Sequence, residues 1–106
     1  MKIEPNFEKR GGLLPVITQD EKSGEILMLA YVSKEAYYQT IETGLATYYS
    51  TSRNEIWVKG KTSGDTQIIK EIFIDCDEDA LLYRVVQLGK GACHTGERTC
   101  FYRQVK

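Results

Sequence analysis

The stretch over residues 13–19 is mostly apolar and reads as a strand, with Pro15 near its start, where a missing N–H is tolerable at a sheet edge. Residues 20–24 supply turn chemistry, and residues 25–31 return as a second apolar strand, completing a hairpin. Ser33 is a good N-cap, with Glu35 in the first turn after it, and Gly44 stands where a helix would stop. Between them Ala36, Tyr37, Thr40 and Ile41 give one buried stripe. Beyond Gly44 the period becomes strand-like. Residues 45–52, 56–59, 66–74 and 80–88 read as strands, with a short turn at Arg53 and Asn54, and a last strand is expected over residues 101–105. The pattern predicts one main helix among six or seven strands, an α+β domain of mostly antiparallel sheet spanning 1–106.

Composition narrows the function classes. The chain has 106 residues, 42% apolar and 27% charged, which suits one globular domain and is too short for two. A formal net charge of -1 gives no basic field for nucleic acid or a membrane surface. The charged N-terminus cannot act as a signal peptide, and no apolar run reaches spanning length, so a cytoplasmic location is expected. An odd count of 3 cysteines argues against a closed disulfide framework.

Two segments carry metal-binding chemistry. In Asp75-Cys76-Asp77-Glu78-Asp79, continuation of the preceding strand would put the three aspartates on one face and Cys76 on the other. Converging carboxylates need a cation, and oxygen ligands suit magnesium or calcium. A solvated acidic turn is the plainer alternative for that segment alone. An EF-hand is excluded, because the sixth residue from Asp75 is Ala80 and the twelfth is Val86. In Gly91-Ala92-Cys93-His94-Thr95-Gly96-Glu97-Arg98-Thr99-Cys100, two cysteines sit in a glycine-bounded loop that can fold both sulfurs toward one ion. Cys76, Cys93 and Cys100 together supply three thiolates and leave a fourth zinc position for water or substrate. His94, the single histidine, is adjacent and suited to taking a proton near neutral pH. A third segment interleaves Arg53, Lys59, Lys61, Thr62 and Ser63 with Trp57, suiting a phosphate beside a stackable base; a polar hairpin is its plain alternative.

Along nearly its whole length the chain resembles the phosphoribosyl-AMP cyclohydrolases of histidine biosynthesis. The resemblance is carried by Leu27-Met28-Leu29-Ala30-Tyr31, Ser50-Thr51-Ser52-Arg53, Trp57-Val58-Lys59-Gly60-Lys61-Thr62-Ser63-Gly64, the acidic segment with Ala80-Leu81-Leu82, and Ala92 through Arg103. It implies an intertwined homodimer with a small-molecule nucleotide substrate. It further implies that Asp75, Asp77 and Asp79 hold Mg²⁺, and that Cys76, Cys93 and Cys100 hold Zn²⁺ shared across the dimer. Lys61, Asp65 and Thr99 depart from the residues common at those positions. The expected reaction is hydrolytic opening of the adenine ring between N1 and C6 of phosphoribosyl-AMP, by zinc-activated water with His94 as general base. Two competing readings are a non-enzymatic zinc module closed by three cysteines and His94, and a single-stranded nucleic-acid binder using Trp57 and nearby cations.

Overall fold

The computed structural model describes residues 3–106; Met1 and Lys2 lie outside the described residues. A 3-10 turn at Glu8–Arg10 leads into β1 (Leu13–Asp20), then β2 (Ile26–Ser33), α1 (Lys34–Thr43), β3 (Thr47–Ser50), β4 (Glu55–Val58), β5 (Gln67–Ile74) and β6 (Leu81–Gln87). The strands form one sheet in the order β4-β3-β2-β1-β6-β5. Neighbours run antiparallel except β1 and β6, which pair in parallel from Val16↔Leu81 to Asp20↔Val85. The α+β class with a mainly antiparallel sheet therefore holds.

The sheet also curls. Leu45 bridges Ile68, and the Ala46 N–H donates to the Gln67 carbonyl at 2.9 Å, so the entry to β3 meets the start of β5. Inside the curl pack Leu14 and Val16 of β1, Leu27, Met28 and Val32 of β2, and Leu81, Tyr83 and Val85 of β6, with Ala36 and Tyr37 of α1. Each fully buried aliphatic side chain contributes about 1.5–3 kcal/mol of transfer free energy. A polar chain crosses this core. The Thr18 and Tyr48 hydroxyls lie 2.8 Å apart, Tyr48 donates to Gln67 Oε1 at 2.6 Å, and Gln67 Nε2 donates to Gln87 at 2.8 Å. Burial pushes the Tyr48 hydroxyl far up, so it stays protonated and free to donate.

The helix ends follow from their caps. Ser33 Oγ accepts from the Ala36 N–H at 3.2 Å, and Gly44, at φ 76°, donates its N–H to Thr40. Ala36, Tyr37 and Thr40 face inward, but Ile41 is 53% exposed: it lies one step further round the helix, past the edge of the contact with β2 and β3. Pro15 also differs from expectation. It sits in the central strand, yet the β6 ladder begins only at Val16, so β1 has one neighbour at that point. Residues 101–106 form no strand, because no described segment pairs with them, and Phe101 and Tyr102 are left exposed. Among the described residues six strands are formed, within the expected six or seven. Among the described residues, no helix is long and apolar enough to cross a membrane.

Candidate metal centres and cleft

β5 ends at Ile74, so the acidic segment is a turn rather than a continued strand. The aspartates converge all the same. Asp75 Oδ1 accepts from the backbone N–H groups of Asp79 and Ala80 at 3.0 and 3.1 Å, and Glu78, at φ 64°, reverses the chain. One oxygen each from Asp75, Asp77 and Asp79 lies within 4.8 Å of the others, the one such cluster of three or more ligating groups among the described residues. Three hard oxygen donors at that separation fit a cation such as magnesium or calcium after slight closure. Lys9 Nζ lies 3.0 Å from Asp77 and 3.3 Å from Asp79, and Arg10 Nε lies 3.1 Å from Asp79. Lys9, chiefly, holds the Asp77 carboxyl down to about 2. Cys76, in the same turn, is exposed.

Cys93 and Cys100 occupy the loop after β6. Gly91 starts it at φ 149°; a Cβ there would lie 2.5 Å from the Arg98 Cα, so only glycine lets the loop's two limbs close. Backbone bonds from Ala92 to Arg98 and from Cys93 to Glu97, at 2.9 and 3.1 Å, seal the closure. The loop is then sewn to β2 and its turn. Arg98 binds Asp20 at 3.0 Å and Glu25 at 2.8 Å, Thr99 Oγ1 donates to the Ile26 carbonyl at 2.7 Å, and the Cys100 N–H donates to Leu27 at 2.7 Å. The two thiols consequently lie beside each other. The Thr95 hydroxyl, 3.0 Å from Cys93 Sγ, is the largest influence drawing that thiol below its usual range. Burial, with the neighbouring Cys93, pushes Cys100 up, while the charge of Lys59 opposes the shift. Two soft sulfurs, one biased toward thiolate, fit zinc as a pair. Cys76 of the same chain does not join them into a cluster of three. His94 is exposed beside Cys93.

The third segment lines a cleft of about 650 Å³ between β4 and α1, bounded by Trp57, Lys59, Lys61, Thr62 and Ser63 and by Glu35, Gln39 and Glu55. Arg53 lies outside this lining, in the exposed turn before β4. Trp57 packs its ring 5.3 Å from Tyr48, so half its surface serves the core and half the cleft. Lys59 is only 7% exposed, although its charge is felt at Cys100, which connects the cleft with the thiol pair. Asp65 acts structurally, since its Oδ1 accepts from the Lys90 N–H at 2.8 Å and joins the loop before β5 to the turn before the cysteines. Sequence reasoning missed Lys9, Arg10, Asp20, Thr95 and Arg98. Only Thr95, two residues from Cys93, carried a local signal.

The curled α+β sheet thus carries an aspartate turn, a two-cysteine loop and a cleft lined by both lysines and glutamates. The family model of phosphoribosyl-AMP cyclohydrolase matches residues 28–102, and the chain belongs to that family. A phosphoribosyl-AMP cyclohydrolase from Desulfatibacillum aliphaticivorans is 57% identical over 98% of this chain and 83% of its own. One from Methanothrix thermoacetophila is 59% identical over 88% of this chain and 76% of its own. The histidine biosynthesis bifunctional protein HisIE of Aquifex aeolicus is 56% identical over the full chain, which spans 50% of that protein.

Proposed function

We propose that this protein hydrolyses phosphoribosyl-AMP in the cytoplasm, opening the adenine ring between N1 and C6 at the third step of histidine biosynthesis. The observation that supports this reading most directly is the pairing of two metal-binding devices, hard oxygens at Asp75, Asp77 and Asp79 and soft sulfurs at Cys93 and Cys100. Zinc on the thiolates supplies Lewis acidity and lowers the pKa of a water, and magnesium on the aspartates supplies charge toward the substrate's phosphates.

The chain's own residues do the rest. N1 of the substrate carries a phosphoribosyl group, so the ring is cationic and C6 is electrophilic. His94 takes the proton of the attacking water, whose oxygen bonds to C6. Breakage of N1–C6 returns the electron pair to N1, which takes up the proton that the new C6 hydroxyl loses as it becomes the carboxamide carbonyl. Lys59, Lys61, Thr62 and Ser63 anchor phosphate in the cleft, Arg53 adds an outer cation, and the open half of Trp57 packs near the base.

The third zinc ligand is Cys76 of a second copy. Ile17, Leu29, Tyr31 and Phe73 are all more than 40% exposed, and the register Ile17↔Leu29, Pro15↔Tyr31, Ile17↔Leu82 and Phe73↔Leu82 joins them on one outer sheet face. Such a face is a natural dimer surface. It ends at the Cys76 turn, so a partner covering it brings its own cysteine loop toward Cys76. Incubation of the purified protein with phosphoribosyl-AMP tests the activity: loss of the purine chromophore is expected, abolished by chelator and restored by zinc with magnesium. A metal-replete protein that leaves the chromophore intact would refute the assignment.

A further inference from the structure

The segment before β1 is held firmly against the aspartate turn. Phe7 is buried with its ring 5.8 Å from Tyr37, and the Asn6 N–H donates to the Glu78 carbonyl at 2.8 Å. Asn6 Oδ1 accepts from the Lys9 N–H at 3.2 Å, and the Gly12 N–H returns to Phe7 at 2.8 Å, closing the 3-10 turn. These bonds aim two successive cations at one turn. Lys9 Nζ bridges Asp77 and Asp79 at 3.0 and 3.3 Å, while Arg10 Nε reaches Asp79 at 3.1 Å.

We propose that Lys9 and Arg10 are positioning residues for the aspartate centre. Lys9 holds the carboxylates together as a built-in cation and leaves when a divalent ion enters, and Arg10 stays on Asp79. The proposal rests on the reading of Asp75, Asp77 and Asp79 as the divalent site. The turn itself is held by Asp75 Oδ1, and the cation between Asp77 and Asp79 offsets the repulsion of like-charged carboxylates this close. A divalent ion drawn in among the three aspartates competes with the Lys9 ammonium for the Asp77 and Asp79 carboxylates, since metal–oxygen distances of ~2.1 Å pull those groups closer than the 3.0 and 3.3 Å the ammonium keeps. Position decides which group moves: Lys9 lies between Asp77 and Asp79, whereas Arg10, 54% exposed, touches Asp79 alone. The Lys9 side chain is 42% exposed on a flexible stem, so water can take over its hydration at small cost. The Asp79 side chain is only 4% exposed and keeps the Arg10 guanidinium as its second partner. Metal entry therefore releases a lysine, with the 3-10 turn still moored through Phe7.

Mn²⁺ binding to the purified protein, followed by the paramagnetic resonance of the free ion, tests this with Lys9→Met, Asp77→Asn and the control Lys22→Met, a lysine outside the cluster. In the same samples, cleavage after Lys9 by a lysine-specific protease is followed by mass spectrometry. Asp77→Asn should weaken Mn²⁺ binding strongly, whereas Lys9→Met should tighten it roughly three- to tenfold, the scale of losing two partly exposed ion pairs that compete with the metal. Lys22→Met should leave the affinity unchanged. Saturating Mn²⁺ should speed cleavage after Lys9 in the wild type and not in Asp77→Asn. Unchanged or weaker Mn²⁺ binding in Lys9→Met, or equal tightening in Lys22→Met, would overturn the displacement while leaving the aspartate site standing; so would metal that slows the cleavage. Mn²⁺ binding indifferent to Asp77→Asn, or no binding at all, would overturn the aspartate reading and the displacement with it.

Discussion

His94 and Cys93 are neighbours in the chain to which the proposed function gives separate roles, one taking a proton and the other holding the metal. Their side chains differ accordingly: the imidazole is exposed, whereas the Cys93 thiol is buried and accepts the Thr95 hydroxyl. Replacing His94 by Ala should therefore leave zinc content intact and cut turnover by roughly a hundredfold or more, the usual scale for a general base. Parallel metal analysis and steady-state kinetics check this; unchanged turnover would remove His94 from the mechanism. At this scale much of the site was legible. Asp75, Asp77 and Asp79 converge as expected, although through a turn held by Asp75 Oδ1 rather than through strand pleat, because local hydrogen bonding at Asp75 wins over extension of β5. Lys9 and Arg10 were not legible, since their pairing with the turn joins residues nearly seventy positions apart and leaves no mark on local pattern.

At the scale of elements, the cysteine loop depends on the hairpin turn between β1 and β2. Asp20 links the two: its carboxylate accepts the Ser23 N–H and hydroxyl, each at 2.9 Å, and pairs with Arg98. The Ser23 backbone bond is the main cause that lowers the Asp20 carboxyl below its ordinary value of 3.8, with Arg98 acting in the same direction. A carboxyl lowered by folding stabilises the folded state above the unfolded pKa and loses that contribution as pH falls through the folded one. The tie between turn and loop should thus be complete at neutral pH and fade below about pH 4. Asp20→Asn should bring the acid-weakened behaviour to neutral pH, with faster amide exchange over residues 91–100 and weaker zinc retention. Exchange in that loop equal to wild type at pH 7 would contradict the tie. The caps at Ser33 and Gly44 and the first hairpin were readable because their signals are local. The parallel β1–β6 pair and the closure of Leu45 on Ile68 were not, because periodicity marks a strand without naming its partner.

For the whole molecule, the exposed apolar groups of a single chain include the face around Ile17, Leu29, Tyr31 and Phe73 and the terminal residues Phe101 and Tyr102. The expected strand over residues 101–105 has the right side chains but no partner strand among the described residues. In the proposed dimer a second copy would cover the bare face and bring a third thiol to the pair. Leu29→Glu should turn the dimer into monomer in light scattering, because it places a charge in the centre of that face, and zinc content should fall with it. A dimer that survives the substitution would move the interface elsewhere.

Zinc held by sulfurs from two copies can be tested by complementation. Cys76→Ser and the double variant Cys93→Ser, Cys100→Ser should each be devoid of zinc and of turnover. Their co-expressed heterodimer, purified through two different tags, should regain zinc and turnover, because one of its two sites then has all three thiols. A heterodimer as empty and inactive as its parents would contradict a shared site.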